Sequence, residues 1–552
     1  MNGQQEQPSA DQPGSFAPER PGRRSPGMPW AAWDEAQEIP PRARELLTGF
    51  LGADLRPVPA VPEGEVEVPA SRLTTAARDA LAAAAGPDQV HTGRADRLRR
   101  AGGRSTPDLL RQRAGRGLAV PDAVVTPGAH DEVAAVLAAA SEHRVAVVPF
   151  GGGTSVTGGV EPVDGGFGAV IALDLHRLDR LTAVDPVSMT ASLEAGLRGP
   201  EAEELLGRHG LTLGHLPQSF EYATIGGFAA TRSAGQASAG YGRFDDMVLA
   251  LQAATPRGTI VAGGLAPATA AGPDLRQLLL GSEGTLGVIT EVTVRVRPRP
   301  EVTADEAWSF AGFADGLAAL RELAQSGGGP AVIRLNDPVE TMVLGLTGGP
   351  QVEGCLALTS YEGSAARVAA QRDAAAATLR GHGGRPLGPR PVAAWRESRF
   401  AAPRTRDALL GAGVLAETLE TATSWSALPA LHEAVTAALT GTLTAAGTPP
   451  VVACHVSHVY PSGASLYYTV VAAGAADPLA QWAAAKTAAS DAIASRGATI
   501  THHHAVGADH LPWMRAEVGD LGLAVLRAVK ATLDPAGVLN PGKLIPPGEP
   551  PA

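Results

Sequence analysis

Residues 149–159 read Pro-Phe-Gly-Gly-Gly-Thr-Ser-Val-Thr-Gly-Gly and follow the apolar run Val145–Val148, at the point where a strand would end. Three successive glycines free the backbone to take positive φ and to press its N–H groups against an anion, and Thr154 and Ser155 add hydroxyl donors. A loop of this kind holds a phosphate. Surface turns are glycine-rich too, so the reading depends on what lies further along the chain.

Two more segments of the same character follow. Pro217-Gln-Ser-Phe-Glu-Tyr-Ala-Thr-Ile-Gly-Gly-Phe runs on to Thr231-Arg-Ser-Ala-Gly, and Gly281-Ser-Glu-Gly-Thr-Leu-Gly-Val-Ile-Thr leads into an apolar strand. In the former, Arg232 offers a planar, permanently charged fork. Three such loops in one predicted domain suggest a long, phosphate-bearing cofactor wrapped by several segments. A Rossmann site would need G-x-G-x-x-G between strand and helix. Residues 151–156 are GGGTSV, which fails that spacing.

Composition agrees with small-molecule chemistry. The chain has 552 residues, too many for one core, so two or three domains are expected. A net charge of −11 with no long basic run disfavours nucleic acid and electrostatic attachment to anionic lipid. Aromatic residues are only 4%, so the cores must be built from Ala, Val and Leu. Cys355 and Cys454 provide no disulfide framework and no zinc-ligand spacing, which fits a reducing compartment. With no basic-then-apolar leader, no apolar run of spanning length and no C-terminal address, a cytoplasmic protein is expected.

Patterning along the chain divides it further. Residues 1–27 are rich in Pro, Gly, Gln and Ser and are expected to be a disordered tail. Residues 28–115 read as an N-terminal helical region. From 116 to 300, short Val-rich runs alternate with helical stretches and end in the alternating strand VTVRVRPRP. A second α/β stretch occupies 301–500, with strands VVACHVSHVY and SLYYTVV and a Gly-rich loop near 381–390. Residues 501–552 return toward the first domain. The expected class is α+β.

At this point the motifs PFGGGTSVTGG, GHLPQSFEYATIGGFAATRSAG, GSEGTLGVIT, VIRLNDP, GASLYYT and THHHAVG can be read together. They resemble the PCMH-type (vanillyl-alcohol oxidase) FAD-binding superfamily, and within it the alkyldihydroxyacetonephosphate synthase (alkylglycerone-phosphate synthase) family, from about Trp30 to Ile545. The resemblance implies a PCMH-type FAD-binding domain, a C-terminal α/β cap and an FAD cofactor. It assigns the pyrophosphate to Pro149, Phe150, Gly151, Gly152, Gly153, Thr154 and Ser155. It assigns the flavin to Pro217, Gln218, Ser219, Phe220, Glu221, Tyr222, Ala223, Thr224, Ile225, Gly226 and Gly227, with Thr231, Arg232, Ser233 and Ala234 following. Glu283, Gly284, Thr285, Leu286, Gly287, Val288 and Ile289 would close over the adenine and ribose. Because the first loop carries Phe150 and no histidine or cysteine, the FAD is expected to be noncovalent.

By the same resemblance, Arg334 meets the substrate phosphate or carbonyl, Tyr467 donates and accepts the proton, and His502, His503 and His504 form a histidine cluster. Arg232 joins this catalytic set as a cationic fork. The residues themselves support these roles less sharply. A phenol becomes a useful acid or base when desolvated or set beside cations, and an arginine on a strand face suits a bidentate grip on phosphate. Tyr468 should pack inward, since alternate strand side chains face opposite ways. If the histidine run is extended, His502 and His504 share a face and chelation by the run alone is poor, so no metal is expected. His215 reads as structural. His455 and His458 are candidates for the substrate cavity, and Asn540 and Lys543 are expected near the cofactor.

The implied reaction exchanges the acyl chain of acyl-dihydroxyacetone phosphate for a long-chain alcohol without net consumption of flavin as oxidant. The partner would then be a small lipid-like molecule, the enzyme a homodimer, and brief membrane-surface contact is expected. A second reading stays open: FAD-linked oxidation of a 2-hydroxy acid or alcohol, toward which the NPGKL ending leans.

Overall fold

The computed structural model describes residues 16–22, 27–32, 39, 41–51, 55–327, 329–347 and 349–547. Three large sheets organise them, beside a two-stranded pairing of Leu211–Thr212 with Arg297–Pro298. The Val-rich runs Ala123–Val125, Ala169–Asp174 and Val145–Phe150 lie side by side in parallel, with the short Val90–His91 strand antiparallel at the edge. All but Pro149 in these three runs are buried, as continuous apolar strands in a covered parallel sheet should be. Helix His130–Glu142 covers the sheet through Val133, Val136, Leu137 and Ala140.

A five-stranded antiparallel sheet follows, in the spatial order Leu181–Asp185, Thr190–Glu194, Val288–Arg295, Val248–Thr255 and Gly258–Gly263. Leu181–Asp185 is an edge strand, and an edge leaves backbone groups unpaired. Here the tail supplies them: Glu19 and Leu181 exchange backbone hydrogen bonds of 2.9 Å in both directions. Gly22 N–H also donates to Glu204 Oε1 at 3.0 Å. Disorder throughout residues 1–27 therefore does not hold at 16–22. The rest of that expectation, at 1–15 and 23–26, lies outside the described residues.

The cap is a seven-stranded antiparallel sheet in the order Arg385–Gly388, Val302–Phe310, Cys355–Gly363, Val332–Asn336, Val451–Val459, Gly463–Ala473 and Val414–Ser424. Its outermost strand corrects the reading of 381–390 as a loop. Arg385 and Pro386 pair with Ser309 and Trp308 despite their polar, proline-containing sequence, which an edge position tolerates. Helices Phe313–Ser326, Ala365–Gly381, Leu428–Ala445 and Pro478–Ser495 bury their Leu and Ala stripes on one face of this sheet. The opposite face carries the polar residues discussed next.

Candidate active site

Strand register decides which side chains meet. Tyr467 pairs directly with His455 on one side and Glu420 on the other, and His455 pairs with Asn336. Paired residues in antiparallel strands share a face, and so do residues two apart along a strand. Arg334, Asn336, His455, Tyr467 and Glu420 therefore form one row across the cap sheet. Tyr468, one position on, points the other way and is fully buried in the core, as its alternation predicts.

The row is bonded along its length. The Arg334 guanidinium donates to Asn336 Oδ1 at 2.8 Å, pairs with the Glu340 carboxylate and lies 3.0 Å from His455 Nδ1. Glu340 sits in the first turn of helix Pro338–Leu346, which Asp337 caps by accepting from Glu340 N–H at 2.7 Å. Burial would push the Glu340 carboxyl up, yet the His455 ring and the Arg334 charge hold it down at about 2. His455 stacks on Tyr467 with ring centroids 4.9 Å apart. Burial dominates at Tyr467 and pushes its phenol up to about 12. Tyr467 is thus a neutral phenol at rest.

The histidine run is not extended. Residues 502–504 form bends, so the premise that His502 and His504 share a face fails. The cause is Glu420, whose buried carboxylate accepts from the backbone N–H groups of His502, His503 and His504 at 2.7, 3.1 and 2.9 Å, and from Thr501 Oγ1 at 2.6 Å. Three successive N–H groups can converge on one carboxylate only if the chain curls around it. Burial pushes the Glu420 carboxyl up, but the imidazole dipoles around it, the Thr501 hydroxyl and the three backbone N–H groups outweigh it and hold it well below the ordinary range. Burial lowers all three histidines, His502 to about 3, so the rings are neutral. They therefore do not act as the cations that would lower the Tyr467 phenol.

His458 reaches the same cluster by an irregularity. Three residues beyond His455, it would face the core in a regular strand, but the pairing slips between Val456 and Val459 and such a bulge re-aims the side chain. His458 stacks on His502 at 5.1 Å and bonds Ser238 Oγ through Nδ1 at 2.6 Å. The nitrogens of His458, His502 and His503 lie within 4.8 Å of one another. Tyr460 Oη lies 2.6 Å from His502 Nε2, a contact the sequence did not signal.

The other half of the site is built by the three Gly-rich segments, which meet. A Cβ at Gly151 would lie 2.3 Å from Thr224 Oγ1, one at Gly152 2.0 Å from the Tyr222 carbonyl oxygen, and one at Gly284 2.6 Å from Pro149 Cγ. Glycine is needed where these segments touch. Thr224 caps helix Ile225–Thr231 by accepting from Gly227 N–H. Asn540 ties the ending in, donating to the carbonyls of Gly159 and Glu283 at 3.1 and 2.6 Å. Lys543 is buried alongside. A cavity of about 330 Å³ opens on Phe150–Gly153 and is lined by Arg100, Arg104 and Arg198. Gln218 Nε2, Ser282 Oγ and Asn540 Oδ1 are buried without a protein partner among the described residues. Unspent donors at Gln218 and Ser282, an unspent acceptor at Asn540, glycine backbone and arginine suit a phosphate-bearing cofactor.

Arg232, Glu221 and Phe220 have other work. Arg232 takes positive φ at the helix end and donates to the Leu280 carbonyl and to Gln277, so it braces residues 277–280 and is not a catalytic fork. Glu221 forms an ion pair with Arg404 at 2.9 Å, and Phe220 stacks on Phe400 at 5.6 Å. Those two hold the cap against the FAD-side loop. His215 is buried between Phe228 and Phe244 and bonds Ser233 Oγ, a structural role.

The halves join at the histidine segment. Thr157, from the first Gly-rich loop, donates to the His504 carbonyl at 3.1 Å, and its own carbonyl accepts from Ala508 and Asp509 N–H. Glu283, from the third segment, accepts from Val506 and Gly507 N–H at 2.8 and 2.7 Å.

Comparison with known proteins agrees with this division. Residues 121–264 match the family described as FAD binding domain, and residues 299–544 match FAD linked oxidases, C-terminal domain. The alkyldihydroxyacetonephosphate synthase of Dictyostelium discoideum is 32% identical over 83% of this chain and 79% of its own length. That of Trypanosoma brucei brucei is 31% identical over 93% of this chain and 90% of its own. A solved alkyldihydroxyacetonephosphate synthase structure superimposes with a TM-score of 0.80 at 28% identity, covering 94% of this chain and 99% of the other.

Proposed function

We propose, from the fact that this chain belongs to the alkyldihydroxyacetonephosphate synthase family of FAD-dependent enzymes, that it replaces the acyl chain of acyl-dihydroxyacetone phosphate with a long-chain alcohol, the step that makes an ether lipid. The observation that carries this reading is the single row Arg334, His455, Tyr467 and Glu420 on the open face of the cap sheet, with the histidine run curled onto its end. FAD, bound by the glycine backbones and held noncovalently, supplies a reversible electron-accepting ring, so that the exchange needs no net oxidant.

The chain's own groups divide the remaining tasks. Arg334 binds the substrate phosphate; its Nη1 has no protein partner among the described residues, while Glu340 and Asn336 fix the plane of the fork. Tyr467, protonated at rest because of its burial, delivers and recovers a proton at its phenol oxygen. The neutral rings of His503 and His504 lie against Tyr467, 6.1 and 5.5 Å between centroids, and receive the charge that develops there.

Incorporation of labelled hexadecanol into product by the purified yellow protein tests the reading. Persistent anaerobic bleaching of the flavin by a 2-hydroxy acid, without such incorporation, would overturn it in favour of an oxidoreductase. Acid precipitation that leaves the flavin in the supernatant checks noncovalent binding. A homodimer and a cytoplasmic location belong to the same proposal, checked by light scattering and by cell fractionation. Among the described residues, no helix is long and apolar enough to cross a membrane. Brief surface contact with lipid is supported by the exposed Leu521 and Val525, one turn apart after the helix Met514–Leu533 breaks at Gly519, and a flotation assay with vesicles measures it.

A further inference from the structure

The exchange just proposed leaves a proton behind. The bond from the substrate carbon to the acid oxygen breaks, a bond to the alcohol oxygen forms, and no electrons are gained or lost overall. The acid departs as a carboxylate at neutral pH, and the alcohol's proton must therefore leave the site once per turnover. The residues around it are buried, so the proton needs a route.

We propose that His503, His502 and Tyr460 form that route. His503 Nδ1 lies 3.0 Å from His502 Nδ1, and His502 Nε2 lies 2.6 Å from Tyr460 Oη. Both are hydrogen-bond lengths, and the chain they make has no gap. Two facing Nδ1 atoms share one proton, which fixes the tautomers as a set. With that proton on His503, His502 accepts at Nδ1 and carries its own at Nε2, donating to Tyr460. A proton taken up at His503 Nε2 then shifts the shared proton to His502, the His502 Nε2 proton to Tyr460 Oη, and the Tyr460 hydroxyl proton to solvent. Each atom keeps its valence, and nothing is oxidised.

The exit end is placed accordingly. Tyr460 follows strand Val451–Val459 and is partly exposed, next to the exposed turn residues Pro461 and Ser462. Its backbone N–H is tied to the Gly463 carbonyl at 2.8 Å, which holds the hydroxyl in register. Arg243 donates to the His502 carbonyl at 3.1 Å and holds the backbone that carries the middle ring from the FAD side. The same nitrogens, with His458, come close enough to hold a metal ion. The relay is favoured because His502 Nε2 and His458 Nδ1 are already hydrogen-bonded, and the Nδ1 pair sits at the spacing of a shared proton.

Tyr460 acts through His502 and is a positioning residue. The test uses the FAD-loaded enzyme and the hexadecanol assay. Tyr460→Phe is expected to lower kcat at least tenfold, to leave KM for both substrates within twofold, and to regain activity as free imidazole is added; wild type should not respond to imidazole. Tyr460→Phe kcat within twofold of wild type, or a loss that imidazole does not restore, would overturn the relay. His502→Gln combined with Tyr460→Phe should lose no more than the worse single variant, since both cut one chain, and multiplying losses would overturn it as well. A stoichiometric transition metal in the purified enzyme, found by mass spectrometry, would count against it too. Because the relay rests on the exchange reading, a wild-type enzyme that incorporates no alcohol removes both, whereas an active wild type with an unaffected Tyr460→Phe removes the relay alone.

Discussion

Two buried glutamates grip the two ends of Thr501–Gly507, and they do so with opposite electrostatics. Glu420, on the cap sheet, collects three backbone N–H groups and a hydroxyl at residues 501–504 and is held far below the ordinary carboxyl range. Glu283, on the FAD side, collects two N–H groups at 506 and 507. There burial dominates, the two hydrogen bonds and Lys543 offset it only in part, and the carboxyl is pushed up to about 7. The same side chain, given the same kind of donor, is a fixed anion in one place and titrates near neutrality in the other. What differs is the number of donors and the rings around them. The cap end of the histidine segment is fastened; the FAD end is fastened by a group whose charge depends on pH.

The strongest way to break the comparison is to remove the fixed anion. Glu420→Ala strands four buried or part-buried donors, and a loss of roughly 3–5 kcal/mol in denaturant unfolding is expected, with turnover down at least a hundredfold. If stability and turnover both survive, the segment is not held by Glu420. Tyr467→Phe, beside Glu420 in register, keeps the ring stacking and removes only the hydroxyl. Turnover should fall at least a hundredfold while the flavin absorption spectrum and melting temperature stay put, which separates chemistry from anchoring.

Glu283→Gln probes the other end. Its folded pKa is raised, so the folded state binds the proton more tightly than the unfolded chain, and this group's contribution to stability falls as pH rises from about 4.5 to about 7. The amide nitrogen cannot accept as the second carboxyl oxygen does, so the variant should lose about 1–3 kcal/mol at pH 5. At pH 8 the wild type carries a buried charge, and relative to pH 5 the balance should shift in the variant's favour by up to roughly 3 kcal/mol. A melting difference of equal size at both values would mean that Glu283 does not titrate in this range. The smallest effect is expected of Arg232→Lys. It loosens the hold on residues 277–280 at a cost of about 1 kcal/mol, with KM unchanged, whereas a large rise in KM would return Arg232 to the substrate.

Much of the cofactor half was legible in the sequence because its signals are local. Three Gly-rich segments each sit at the end of a strand or the start of a helix, and each needs glycine where another segment presses against it. Tyr467 and Tyr468 were separable for the same kind of reason, a period of two along one strand. The reading failed where long-range partners overrode local pattern. Residues 502–504 look extended until Glu420 curls them. Arg232 looks like a free cation until residues 277–280 take its donors. Glu340 and Tyr460 carried no motif, yet one fixes Arg334 and the other meets His502.

From the sequence alone came, through the resemblance of its motifs, the PCMH-type family, FAD, the three loops proposed to hold it and the candidates Arg334, Tyr467 and the histidines; strand alternation, written in neighbouring residues, separated Tyr467 from Tyr468. Only the tertiary structure decided that Arg334, His455, Tyr467 and Glu420 share one face, that a slip between Val456 and Val459 brings His458 to that face, and that the histidine segment is gripped by one ionised carboxylate and one near neutrality. Register joins residues more than a hundred positions apart, and a carboxyl's pKa is set by how many donors reach it after burial. Neither is encoded in any single stretch of chain.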